Sequence, residues 1–187
     1  MSEHPHGTLR PDVGEGDHRA GPSHAPVTLV EYGDYQCPHC ARAHPIVTEI
    51  RKQLGASLQF VFRNFPLTEI HPDAGHAAEA TESVAQSSGN DAYWAMHDAI
   101  YEHQMDSLDA LDDEHLVQYA ADIGADAARV QADLDGGTFE ERVRADFVSG
   151  VRSGVNGTPT FFINGVRFDG NWSNRREFAA ALQSPSA

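Results

Sequence analysis

Residues 27–40 decide the fold of this chain, and they read VTLVEYGDYQCPHC. The apolar run at 27–32 predicts a buried β-strand, which the glycine and aspartate that follow it bring to an end. A helical pattern of apolar residues then extends over 38–54. Because proline is favoured at the first position of a helix, Pro38 predicts that the helix begins there and that Cys37 occupies its N-cap. The segment is therefore a strand followed closely by a helix, with a cysteine at the junction.

Cys37 and Cys40 are the two cysteines of the chain, and their spacing predicts redox chemistry. At the N-cap, the sulfur of Cys37 lies near unpaired backbone N–H groups and the positive end of the helix dipole, both of which favour thiolate over thiol. Cys40 follows one helical turn later, at a Cα separation of roughly 5 to 6 Å that a disulfide accepts. We expect an accessible Cys37 with a low pKa and a buried Cys40.

A second motif occupies residues 157–165, GTPTFFING. Pro159 lacks a backbone N–H, so it fits the start of the strand that its apolar neighbours predict. Together, the CPHC motif, the GTPTFFING motif and the opening PVTLVEYGDYQCPHC resemble the thioredoxin superfamily, and most closely the DsbA-like thiol–disulfide oxidoreductases. The resemblance extends over residues 17–183.

The resemblance implies an α/β, thioredoxin-like fold with a helical insertion between its β-α-β half and its C-terminal β-β-α half. Residues 17–68 and 155–183 would form the thioredoxin-like domain. Residues 69–154 have helical apolar periodicity nearly throughout and would form the inserted helical domain. Residues 1–16 are polar and are expected to form a flexible tail.

The resemblance also implies an enzyme, a protein-disulfide oxidoreductase that exchanges its CPHC disulfide or dithiol with protein or peptide thiols. In such enzymes a mixed disulfide forms on the residue matching Cys37, and the residue matching Cys40 resolves it. The residue matching Pro159 is cis and packs against the disulfide. Thr158 would pair its backbone with an extended substrate segment. No cofactor is implied beyond the redox-active Cys37–Cys40 disulfide, and the redox partner is not identified.

His39 and Glu31 are two further candidates for the redox site. We expect the imidazole of His39, which lies between the cysteines, to donate to the Cys37 thiolate or to stabilise its charge, and so to lower its pKa. Glu31 precedes Cys37 by six residues on the predicted strand. If it is buried, its pKa is raised and it can accept or relay the proton of Cys40, a role that the resemblance also implies. The alternative, an outward-facing strand residue, stays open.

Two other functions fit the same cysteines. Cys37 and Cys40 have the spacing of half a zinc site, and His71 and His76 the spacing of the other half. A long predicted helix and a strand separate the two halves, however, whereas a zinc finger closes its loop in about 12 to 15 residues. We therefore expect no metal site. A noncatalytic redox switch or chaperone stays open, because its sequence around CPHC would look the same.

The charge and the hydropathy of the chain exclude some classes of partner. The chain has 28 acidic and 13 basic residues, with a formal net charge of −15, and it lacks the clustered Lys and Arg that bind phosphate backbones. Nucleic acid and anionic membranes are therefore not expected as partners. No apolar stretch approaches the roughly 20 residues that a membrane helix needs. The N-terminal residues contain no apolar secretion-signal region, so we expect a cytoplasmic protein; an exported form with its signal removed is the alternative.

Overall fold

The strand predicted at 27–32 lies at the centre of a mixed β-sheet. Within residues 7–184, which the computed structural model describes, the sheet has five strands in the order β1-β3-β2-β4-β5. Strand β2 runs parallel to β3 and antiparallel to β4, as expected for a β-α-β unit extended by a hairpin. The strands are β1 His18–Ala20, β2 Val27–Gly33, β3 Leu58–Asn64, β4 Thr160–Ile163 and β5 Val166–Arg167.

Helices cover both faces of the sheet and form the predicted insertion. Helix α1 connects β2 to β3, five helices lie between β3 and β4, and a last helix follows β5. This arrangement confirms the predicted fold class. None of the helices in the described part of the chain is long and apolar enough to cross a membrane. The helices are α1 Pro38–Leu54, α2 Ala74–Ser88, α3 Asn90–His103, α4 Asp113–Asp122, α5 Ala127–Gly136, α6 Glu140–Arg152 and α7 Arg175–Gln183.

The alternation of side chains along β2 divides the core into two clusters. Leu29 belongs to the larger cluster, which includes residues of α1, α2 and α3. Val30 and Tyr32 belong to the smaller cluster, against which Phe147 of α6 packs. Because both faces of β2 and β3 are covered, every residue of β3 is buried, including the polar Gln59.

Part of the N-terminal segment packs against this sheet. Thr8 forms an isolated β-bridge with Val166, and Leu9 is buried in the smaller core cluster. The buried guanidinium of Arg63 donates to the carbonyl oxygens of Pro11 and Asp12. The flexible tail predicted for residues 1–16 is therefore wrong from residue 8 onward, because one apolar side chain and one buried cation hold this segment on the sheet. Residues 1–6 lie outside the described residues.

Candidate active site

Helix α1 begins beside the end of β2, and its N-terminus forms the centre of the site. Cys37 is the N-cap, with φ −75° and ψ 122°, and Pro38 is in the first turn. No side chain caps the helix, and its first turn has no acidic residue. The N–H groups of that turn, and the positive end of the helix dipole, are therefore free to act on the sulfur of Cys37.

The sheet register brings the second motif to the same place. Thr160, the first residue of β4, pairs with Tyr32 near the end of β2. The residues that enter β4 therefore lie next to the start of α1. The Thr158–Pro159 peptide bond is cis. The sulfur of Cys37 lies 3.6 Å from the carbonyl oxygen of Thr158, to which Cys37 donates when it is protonated. Two motifs that are 121 residues apart in the sequence thus contact each other.

Hydrogen bonds make Cys37 acidic. Its pKa is lowered to about 5, first by the hydrogen bond that the Cys40 thiol donates to its sulfur, against an opposing effect of burial. The Thr158 side chain and the backbone N–H groups of Cys40 and His39 lower it further. The hydroxyl of Thr158 is buried without a hydrogen-bond partner among the described residues, so it is available to a thiolate. At neutral pH Cys37 is a thiolate, the nucleophilic form of cysteine.

Cys40 has the opposite character. It is completely buried, and burial is the first cause that raises its pKa well above the ordinary value; its bond to Cys37 and the nearby charge of Glu31 add to this. The backbone N–H of Asp34 donates to its sulfur at 3.5 Å.

Cys37 is also less accessible than predicted, since only 4% of its surface is exposed. The N-cap position suggested an open sulfur, but the loop before β4 covers it.

Glu31 is buried, which excludes the alternative of an outward-facing strand residue. It is 3% exposed and lies in the central strand between Phe62 of β3 and Phe161 of β4. Burial, and then the charge of Cys37, raise its pKa to about 8. Glu31 is therefore mostly protonated at neutral pH, and it is close enough to Cys40 to influence the pKa of that thiol.

His39 does not make the predicted contact through its imidazole. The ring is exposed, and its Nδ1 is hydrogen-bonded to the guanidinium of Arg42 one turn later. The group of His39 that acts on Cys37 is its backbone N–H. The sequence correctly located His39 beside the thiolate, but a helix directs the side chains of its first turn outward and their N–H groups toward the N-cap.

Asp34 is a site residue that the sequence did not reveal, because it was interpreted only as the end of a strand. Its buried carboxylate accepts hydrogen bonds from the N–H groups of Gln36 and Leu67 at 2.7 and 2.9 Å and from His71 at 2.8 Å. Its carbonyl oxygen accepts from the N–H of Cys37 at 3.1 Å. Asp34 therefore fixes the loop that precedes the redox helix.

The zinc alternative is not compatible with this geometry. His71 is bound to Asp34, and His76 is paired with Asp113 at 2.6 Å. Where the described residues bring three potential metal ligands together, neither Cys37 nor Cys40 is among them. The two predicted halves of a zinc site are therefore not assembled.

The lowered pKa of Cys37 can be measured directly. We expect the ultraviolet absorbance of thiolate to report one thiol that titrates near a pKa of about 5, and a second that remains protonated well above the ordinary cysteine value. In a Cys37→Ser variant the low transition should disappear. Two thiols that both titrate near the ordinary value of about 8.5 would contradict the hydrogen-bond argument.

Two substitutions of His39 separate the effect of its side chain on the Cys37 pKa from the effect of its backbone N–H. His39→Ala keeps the N–H, so we expect the Cys37 pKa to change by less than about one unit. His39→Pro removes the N–H at a position in the first turn, where proline is tolerated, and should raise the pKa further than alanine does. The same absorbance titration compares the two variants. A larger shift for alanine than for proline would assign the effect to the imidazole instead.

Comparisons with known proteins show which family and which solved structures this chain is similar to. The family model described as Thioredoxin matches residues 14–183. BdbD from Bacillus subtilis has a TM-score of 0.84 at 24% identity, with 97% of each chain covered. MdbA from Corynebacterium diphtheriae, a thiol-disulfide oxidoreductase, has a TM-score of 0.72 at 19% identity over 95% of each chain. Alpha-DsbA1 from Wolbachia pipientis has a TM-score of 0.77 at 20% identity over 91% of each chain.

Curated relatives are more similar in sequence but much longer. The Na(+)/H(+) antiporter NhaA 3 of Salinispora tropica is 40% identical over 171 residues, which are 91% of this chain and 25% of that protein. The antiporter NhaA of Herminiimonas arsenicoxydans is 40% identical over 168 residues, 89% of this chain and 25% of that protein. The chain thus spans about a quarter of the length of these relatives. The family match covers most of the chain and agrees with the observed fold. The chain therefore belongs to the thioredoxin family, and it has the fold of the DsbA-type oxidoreductases.

Proposed function

We propose that this protein is a thiol–disulfide oxidoreductase that exchanges its Cys37–Cys40 pair with the thiols of proteins or peptides. The observation that carries the proposal is the asymmetry of the two thiols. Cys37 has a pKa of about 5 and contacts the loop of Thr158, whereas Cys40 is buried with a raised pKa. One sulfur is therefore prepared to attack or leave as a thiolate, and the other to resolve the product.

The exchange proceeds through two displacements at sulfur. In the oxidised pair, a substrate thiolate attacks the sulfur of Cys37; a bond forms between them, the Cys37–Cys40 bond breaks, and Cys40 leaves and takes up a proton. A second substrate thiolate then attacks the substrate sulfur of the mixed disulfide, and Cys37 leaves as a thiolate. Two electrons pass from the substrate dithiol to the cysteine pair. The reverse sequence reduces a substrate disulfide, with Cys40 resolving the mixed disulfide.

Glu31 is suited to supply or accept the proton of Cys40. Its pKa of about 8 keeps the carboxyl mostly protonated at neutral pH, and the carboxyl can still lose its proton because this pKa is close to neutral. When Cys40 leaves as a buried thiolate, a nearby neutral acid can donate to it, and burial makes an uncompensated charge on Cys40 unfavourable. Glu31 would in turn recover its proton when Cys40 reacts in the opposite direction.

The surroundings of Cys37 favour a peptide substrate over a small molecule. The backbone of Thr158 lies beside the sulfur and can pair with an extended segment. The loop after α3 is tied to the site by Gln104, which donates to the carbonyl oxygen of Tyr35 at 2.7 Å. The same loop exposes Met105 and Leu108, with 70% and 102% of their surface accessible. Exposed apolar side chains on a loop that is tied to the segment of Cys37 fit the unfolded or extended chain of a protein substrate.

A turnover assay tests the proposal against a redox switch. The protein is mixed in catalytic amount with a peptide that carries two thiols and with oxidised glutathione, and peptide oxidation is followed over time. An oxidoreductase should oxidise many equivalents of peptide. A switch should oxidise at most one equivalent and then stop. A single equivalent, with no acceleration over glutathione alone, would refute the proposed function.

A further inference from the structure

A second cluster of reactive side chains lies on helix α1 beyond the redox pair. His44 is one turn after Cys40, and it meets His97 and Asp98 of helix α3. One potential ligand atom from each of the three residues lies within 4.8 Å of the others. The Nε2 of His44 is 3.5 Å from Oδ1 of Asp98. Two imidazoles and a carboxylate therefore converge where the thioredoxin-like part of the chain contacts the helical insertion.

The surrounding aromatic residues hold both imidazoles in place. His97 is 1% exposed, and a hydrogen bond of 2.9 Å joins its Nδ1 to the hydroxyl of Tyr35. The ring of His44 stacks on Tyr101, with centroids 5.0 Å apart. A histidine whose other ring nitrogen is hydrogen-bonded has a fixed tautomer and orientation, which is typical of histidines that bind metal.

We propose that His44, His97 and Asp98 bind Zn²⁺ and thereby join α1 to α3. Imidazole nitrogen and carboxylate oxygen are ligands that zinc accepts, with bonds of about 2.0 to 2.2 Å. Closing the cluster around an ion requires the ligand atoms to approach one another, and Asp98, whose side chain is 48% exposed, is the ligand best placed to turn toward the two rings. Three protein ligands leave a fourth position for water on the solvent side.

The charges near the cluster limit its affinity without excluding an ion. Arg51 repels a cation, but its guanidinium lies over the rings of Phe60 and Trp94, at 5.1 and 5.2 Å from their centroids. The negative charge of Asp98 opposes that of Arg51.

A second group of potential ligands provides a matched control. Asp109, Asp112 and His115 also bring three ligand atoms together. Their polar atoms are already engaged, because the Asp112 carboxylate accepts from both the N–H and the ring of His115 at 2.9 and 2.7 Å. This group consists of the N-cap of α4 and its neighbours in the chain. A variant at His115 thus removes a histidine without touching the cluster on α1 and α3.

Zinc titration of the full chain tests the site. Cys37→Ser/Cys40→Ser is the starting protein, so that the thiols cannot bind the metal, and isothermal titration with ZnCl₂ gives the affinity. We expect Asp98→Asn and His44→Gln each to weaken the tightest site at least tenfold, and His115→Gln to leave it unchanged. The chain has 11 histidines, so the difference between these variants, rather than total binding, is the readout.

A second measurement reports the ligand set. Co²⁺ bound in a tetrahedral site has an intense visible spectrum, which should appear in the cysteine-free protein and be lost in Asp98→Asn and His44→Gln. Both positions retain some solvent exposure, at 48% and 14% of the side chain, so the variants are expected to fold; circular dichroism confirms this before titration. Equal Zn²⁺ affinity in these variants and their parent, or no measurable binding to the parent, would overturn the proposal.

Discussion

Cys37→Ser should abolish thiol–disulfide exchange, whereas Cys40→Ser should stop turnover at a trapped mixed disulfide. The two substitutions are equally conservative, and they differ only in which sulfur remains. Cys37 has a pKa of about 5 and contacts Thr158, so it is the sulfur that substrate meets. Cys40 is wholly buried, so its sulfur can reach only Cys37. A thiolate at Cys37 without its partner can form a mixed disulfide but cannot release it by internal attack.

Mass spectrometry after mixing each variant with a disulfide-containing peptide distinguishes the two outcomes. The Cys40→Ser protein should gain the mass of one half of the peptide disulfide, and reduction should remove it. The Cys37→Ser protein should gain nothing. Trapping by both variants at similar rates would show that neither thiol is preferred, and trapping by Cys37→Ser alone would show that their order is the reverse of the one inferred from burial. In a Cys40→Ala variant, which keeps no donor at this position, the pKa of Cys37 should rise, because the leading cause of its low value is the hydrogen bond from Cys40.

Glu31→Gln should stabilise the protein at alkaline pH while impairing exchange. The folded state raises the pKa of Glu31 from 4.5 to about 8, so the native protein binds this proton more tightly than the unfolded chain does. The stability that the protonated carboxyl provides is fully present below its unfolded pKa of 4.5 and is lost as the pH rises toward about 8. At about 1.4 kcal/mol for each pKa unit, the loss is at most on the order of 5 kcal/mol.

Denaturant unfolding of both proteins across this pH range measures the effect. Glutamine does not titrate, so the free energy of unfolding of the variant should exceed that of the wild type increasingly between pH 4.5 and about 8. The same comparison in a Cys37→Ser background should give a smaller difference, since the charge of Cys37 is the second cause of the shift. Parallel pH profiles in wild type and variant would contradict a buried, neutral Glu31. Slower exchange by the variant would in addition support its role in proton transfer.

The local sequence determined much of the architecture. The run at 27–32 became β2, Pro38 began α1, and Cys37 occupied the N-cap, because strand burial and helix initiation depend on residues close together in the chain. The motif at 157–165 correctly indicated a strand entered through a proline. The helical insertion followed from apolar periodicity over a long segment. These features have in common that each depends on the pattern of residues along one continuous segment of the chain.

The tertiary structure decided what surrounds the two sulfurs. The register of β4 on β2 brings Thr158 to Cys37, and it also covers a thiol that the N-cap position alone suggested would be open. The covering of both sheet faces decided that Glu31 is buried rather than exposed. Asp34 gained its role from partners up to 37 residues away. Accessibility, pKa and hydrogen-bond partners depend on contacts between distant segments, and the sequence contains the residues but not the distances between them.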